Sequence, residues 1–188
     1  MDLTSISTNL RTEGHPAPGN LVLVHGFLNT WSDELGIEDF RTLDSTESWL
    51  RDTGLWIGAN KITSTQHQKL VNFRHELRAW ILDKARMQAL QALATGVSFE
   101  AVFDPTDGVS FRAAELGTHG AIDGVIGRLI AIISESQQNG TWDRLKCCDL
   151  PTCGWAFYDS TRSRTKRWCS MKTCGSRHKA REYYKRKR

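Results

Sequence analysis

All five cysteines of this 188-residue chain lie between Cys147 and Cys174. Four of them form two pairs of equal internal spacing, Cys148-Asp-Leu-Pro-Thr-Cys153 and Cys169-Ser-Met-Lys-Thr-Cys174, with fifteen residues between the pairs. Two such pairs can give four thiolates to one tetrahedral Zn2+, so the expectation is a single structural zinc ion. Cys147 could replace Cys148 as a ligand, but the equal spacing favours Cys148, Cys153, Cys169 and Cys174. A disulfide scheme would leave one cysteine over and would need an oxidising compartment. Met1 to Asn20 is polar and lacks the apolar stretch of a secretion signal, which points to a reduced, cytoplasmic setting. No run approaches 18 apolar residues, so no membrane association is expected.

The segments around the cysteines must present them to the metal. Trp142 to Lys146 reads as a strand leading to the first pair, and Trp155 to Tyr158 as a second. Asp159 to Thr165 is a polar turn, and Lys166 to Trp168 a returning strand, which together predict a hairpin between the pairs. Ser170 can cap a helix whose first turn carries Cys174, where the helix dipole favours thiolate charge. Knuckle, hairpin and helix make a treble-clef-like module. The run Cys-x4-Cys-Gly-Trp-x-Phe-Tyr-Asp-x-Thr-Arg, followed by Arg-Trp-Cys-Ser-Met-x-x-Cys-Gly-x-Arg-x-Lys-x-Arg, resembles the CGNR-type zinc finger of bacterial proteins from about Leu145 to Arg181. The family's Asn is Ser176 here. A role in bonding nearby backbone would survive that exchange, whereas bidentate contact with adenine would not.

Charge divides the chain. Met1 to Gly140 carries 11 Lys/Arg against 17 Asp/Glu, net −6, and Thr141 to Arg188 carries 14 against 4, net +10. A basic end on an acidic body predicts a polyanion partner, here duplex DNA. Arg162, Arg164, Lys166 and Arg167 fall at the expected hairpin turn, and Lys172, Arg177, Lys179, Arg181, Lys185 and Arg186 follow on the terminal helix. Arg177, Arg181, Tyr184 and Arg188 step by four, three and four along one helical face, and Lys172, Lys179 and Arg186 repeat every seven.

Before this module, 39% apolar content over the whole chain suits one ordinary core. Residues 1–20 read as a flexible arm and residues 21–138 as the main domain, with 142–188 as the finger. Leu21 to Val24 reads as a strand or the start of a buried segment. The string Leu-Val-Leu-Val-His25-Gly-Phe27 is similar to an α/β-hydrolase strand, but Gly-x-Ser-x-Gly is absent from the chain. Asp44 with Glu47 predicts a capped helix ending near Gly54. Apolar spacing predicts one long helix from about Thr65 to Ala94, a hairpin of Val97–Phe103 with Val109–Ala113, and a helix from Gly117 to Gln138. Glycines 120, 124 and 127 share one side of that last helix, which suggests a homodimer surface.

Phe27-Leu-Asn-Thr30, Trp49-Leu50 and Gly54-Leu55 resemble the ABATE domain that precedes CGNR fingers in a family of stress-induced transcription regulators. Gly26 stands where that family has an aspartate. The resemblance implies an α+β, mixed helical and β-hairpin domain for ligand sensing or dimerisation, with Asn29, Arg74 and Arg78 as candidates for an anion or small-molecule effector pocket. The histidines are scattered without catalytic spacing, and no set of His, Asp or Glu accompanies the cysteines, so no enzyme is expected. The overall reading is a zinc-dependent DNA-binding transcription regulator. The competing one is a finger that binds RNA or protein.

Overall fold

The structure is a computed structural model and describes residues 10–12, 15–56, 60–106, 108–114 and 121–187. Most of the N-terminal arm, Gly117, Gly120 and Arg188 therefore lie outside the described residues. The architecture is α+β: helices form the core, and three two-stranded antiparallel sheets attach to it.

Leu21–Leu28 is a helix, α1, and not a strand. All eight of its residues are buried, so no polar stripe marks its period and an apolar run of this kind cannot be told from a strand. Gly26 has no Cβ because Leu10 packs into the space one would need. This explains a small residue where the resemblance led one to expect an acid. The described part of the arm is accordingly not loose: Leu10 and Ala17 are buried, and Arg11 pairs with Asp39 at 3.0 Å. Phe27 lies at the centre of an aromatic cluster with Phe40, Trp49 and Phe73, at centroid distances of 6.0 to 6.2 Å.

Beyond α1 a small sheet, β1 (Trp31–Ser32) with β2 (Ile37–Glu38), is too short to be signalled by alternation. Helix α2 (Leu43–Asp52) is capped by Thr42, two residues before the expected cap at Asp44. Thr42 and Ser45 bond each other reciprocally there, and Asp44 falls in the first turn. Helix α3 (Ser64–Leu82) is capped by Thr63 with Gln66. It does not continue to Ala94. Asp83 turns extended and its carboxylate accepts from the Ala85 amide at 3.0 Å, competing with the helical ladder, and the chain resumes as α4 (Gln88–Leu93). Strands β3 (Phe99–Asp104) and β4 (Gly108–Ala113) form the expected hairpin.

Helix α5 (Ala121–Gln138) buries Ile122, Val125, Ile126, Leu129, Ile132 and Ile133 in the core of its own chain. A Cβ on Gly127 would come within 2.7 Å of the Ala113 Cβ, so this glycine lets β4 approach the helix. Gly127 is thus used inside the monomer, whereas a Cβ on Gly124 would meet nothing within 4 Å.

The C-terminal module is docked on this body. Trp142 stacks on Trp80 at 5.5 Å. The peptide of Ala156 is clasped from α1 and its C-terminal end: Asn29 accepts from its N–H at 2.9 Å and donates to its carbonyl at 3.0 Å, and His25 Nε2 donates to the same carbonyl at 3.1 Å. Burial lowers the His25 pKa from 6.5 to about 4, against a smaller opposing pull from the Ala156 carbonyl. His25 is therefore neutral when folded, while the unfolded chain takes up its proton near pH 6.5. Its contribution is complete above that pH and is lost as pH falls toward 4. From pH 7 to pH 5 the unfolding free energy should drop by about 2 kcal/mol through this residue. Denaturant unfolding of the wild type beside His25→Gln, in which that part of the slope should vanish, separates it from acid release of metal.

Candidate metal centre

Strands β5 (Leu145–Cys147) and β6 (Ala156–Tyr158) pair antiparallel, with Cys147 opposite Ala156. Trp142 to Arg144, expected as part of the first strand, is a single 3-10 turn. The loop between the strands is the first knuckle. The Cys148 amide donates to Trp155 O at 2.9 Å, and the Cys153 and Gly154 amides both donate to Leu150 O. Gly154 takes φ of 58°, the left-handed region where a side chain is strained. The hairpin thus spans the first ligand pair, not the interval between the pairs, and Lys166 to Trp168 pairs with no strand.

Acidic side chains hold that interval instead. Asp159 is fully buried. Its carboxylate accepts from the Thr161 amide and hydroxyl, from the Lys166 amide at 2.9 Å and from Lys146 Nζ at 2.8 Å. Burial alone would raise its pKa. The Lys146 ammonium and the other donors outweigh that and hold it well below the usual carboxylate range. Asp149 meets Arg167 twice, its amide donating to Arg167 O at 2.9 Å and its carboxylate accepting from Arg167 Nε at 2.7 Å. An aspartate just ahead of Ser160 and Thr161 is the one cue in the sequence to such a turn.

The second pair sits where helix begins. Ser170 Oγ accepts from the Thr173 amide at 3.3 Å, as expected of a cap. A π-helical turn, Met171–Gly175, then leads into α6 (Ser176–Arg186). Ser176 Oγ donates to Met171 O at 3.2 Å, the backbone-bonding role that a hydroxyl and an amide can share.

The sulfurs of Cys148, Cys153, Cys169 and Cys174 all lie within 4.8 Å of one another. Cys153 to Cys169 is 3.7 Å and Cys169 to Cys174 is 3.6 Å. Tetrahedral zinc with sulfur at about 2.3 Å needs edges of about 3.8 Å. The donor set fits, and the four cysteines are positioned to bind one zinc ion. Their proton chemistry agrees: hydrogen bonds from Cys153 and Cys169 hold the Cys148 pKa low, while the Cys153 and Cys169 pKa values are pushed up. Four thiolates so close require a cation. Cys147 points the other way, into the core shared with the body, and burial pushes its thiol up to about 11.

Cys148, Leu150 and Cys174, with Trp168 against them, form a core separate from that of the body. The class that this fold and site define is a small zinc finger built on a knuckle, a hairpin and a helix. Residues 144–187 match the model of the CGNR zinc finger family. No curated protein matches the chain.

The cationic residues spread around this centre. Arg162, Arg164, Lys172, Lys179 and Arg181 are exposed and have no acidic partner among the described residues. Lys166 is half-buried over Phe157, and Lys185 pairs with Glu182. Arg186 is exposed at the end of α6. Lys172 lies in the π-turn, whose wider winding breaks the seven-residue repeat with Lys179. Arg177 forms an ion pair with Glu34, a body residue that sequence reasoning missed and that also accepts from Thr152 Oγ1.

The three candidate pocket residues lie in the body. Asn29 is spent on Ala156 and Arg11 O. Arg74 is buried against Glu38 at 2.7 Å and Thr30 at 2.9 Å. Arg78 lies 4.8 Å over Trp31 and faces the Cys147 thiol, and its three nitrogens have no nitrogen or oxygen partner. No helix among the described residues is long and apolar enough to cross a membrane.

Structural zinc contributes about 10–16 kcal/mol in small fingers, more than this separate core can replace. Chelation, or Cys169→Ser, should open the finger while the body keeps its helices. Limited proteolysis should then cut within residues 159–168 and spare the zinc-loaded protein. Equal resistance with and without metal would refute the assignment.

Proposed function

We propose that this protein is a zinc-dependent DNA-binding transcription regulator without catalytic activity, whose finger presents α6 to duplex DNA and whose ABATE-like body senses a small molecule. The observation that carries the proposal is α6 itself. It begins beside the metal ligand Cys174, buries none of its residues, and offers Arg177, Lys179, Arg181, Lys185 and Arg186 to solvent. Its first turns touch Trp168 through His178 and Glu34 through Arg177, and the rest of the helix is free to meet a polyanion. Four thiolates on one divalent ion subtract about two charges from the +10 of the C-terminal segment and leave it strongly basic. The body, at −6, directs a phosphate chain toward the finger and away from itself. Exposed arginines on such a helix can read guanine edges, with lysines on phosphates.

The sensing role rests on Arg78, 5% exposed with unspent donors. A buried guanidinium with no oxygen acceptor and only the Cys147 sulfur beside it is costly, and an anionic effector would complete it. The second reading, an RNA-binding finger, draws on Tyr183 and Tyr184, 49% and 68% exposed on the same helix, since aromatic rings can stack on unpaired bases.

Fluorescence anisotropy with zinc-loaded protein decides between these. With about five phosphate contacts, affinity for duplex DNA should fall roughly 10²- to 10³-fold between 50 and 200 mM salt. Lys179→Ala with Arg181→Ala should weaken binding and flatten that slope by about two. A salt-independent affinity, or tighter binding to structured RNA than to duplex, would overturn the DNA reading.

A further inference from the structure

We propose that the β3–β4 hairpin is the self-association surface of this protein, each copy laying its hairpin into the groove of a second copy. The register places Phe99 opposite Ala113, Ala101 opposite Phe111, and Phe103 opposite Val109. By strand alternation these six residues share one face, and every one of them is apolar. The other face carries the Glu100 and Arg112 ion pair, Ser110 and Asp104, with Val102 its one large apolar side chain. A hairpin patterned in this way is built to be covered on one side. Here that side is open: Phe103 is 78% exposed, Phe111 65%, Val109 57% and Phe99 42%.

Only the base of the hairpin is covered, where Ala113 meets Gly127. From there the strands stand away from α5 and leave a groove of about 890 Å3. Phe99, Val109 and Phe111 line one wall, Ile130 and Ala131 of α5 line the other, and Leu23 and Leu55 lie among the remaining lining residues.

Area and shape select a second copy as the occupant. The three phenylalanines alone expose roughly 370 Å2 per chain, taking about 200 Å2 for each ring side chain. Two such faces supply about 740 Å2 of the roughly 1,000 Å2 total that a specific interface needs, before Val109 and the α5 walls are counted. The chain also carries both halves of the fit, an apolar ridge and an apolar groove side by side, so one two-fold axis satisfies both at once.

Sedimentation of the zinc-loaded full chain over about 1 to 200 μM tests this, alone and free of nucleic acid. The wild type should be a dimer at the upper concentrations. Phe103→Asp and Phe111→Asp, at residues outside the core, should each weaken association at least 100-fold while the circular dichroism spectrum is unchanged. Glu100→Gln, on the opposite face, should leave it as it was. A monomeric wild type throughout, an aspartate variant that still dimerises, or equal loss in Glu100→Gln would each overturn the proposal.

Discussion

Four sulfurs lie within one small volume, and no arrangement of protons lets all four carry charge together. Everything from Cys148 onward answers to that constraint. A divalent ion resolves it by binding the knuckle to the first turn of α6. Without that ion, little besides Leu150, Trp168 and two aspartate-centred hydrogen-bond sets, of buried Asp159 and exposed Asp149, would hold the segment. The rest of the finger surface is thereby released from packing duty. This is why so short a module can be so cationic: charge that would disrupt an ordinary core is harmless around a core made of metal and sulfur.

The body solves a different problem, that of carrying buried polar groups. Arg74 is fully enclosed, and its pairing with Glu38 and Thr30 ties α3 to the first small sheet. Glu38 has its pKa lowered. Burial acts against ionisation, but the Arg74 guanidinium and the Phe40 amide prevail. Arg78, one turn further along α3, has the same burial without the same compensation. That contrast between neighbours on one helix is what separates a strut from a candidate binding residue.

Much of this was legible in the sequence where spacing alone decides the outcome. Cysteine pairs, the β3–β4 hairpin and the apolar period of α5 are local patterns, and each stands where expected. Three features were not legible because their causes are distant in sequence. The all-buried α1 has no polar face to reveal its period. Lys166 to Trp168 joins no sheet because its backbone is spent elsewhere, the Lys166 amide on Asp159 and the Arg167 carbonyl on the Asp149 amide. The Glu34 contact with Arg177 spans 143 positions, beyond any local pattern. Asp83 was a milder failure: its helix-breaking power depends on the side chain reaching the Ala85 amide, which spacing of apolar residues does not report.

One amide side chain, that of Asn29, satisfies both the donor and the acceptor of Ala156, so β6 is joined to the end of α1 with no slack between them. Zinc occupancy and the integrity of α1 therefore belong to a single thermodynamic cycle. Whatever event in the body zinc binding favours through that helix must, by reciprocity, strengthen the hold on the metal by the same free energy. The affinity for the ion, read by competition with a chelator at equilibrium, becomes a reporter on events in a domain that never touches it.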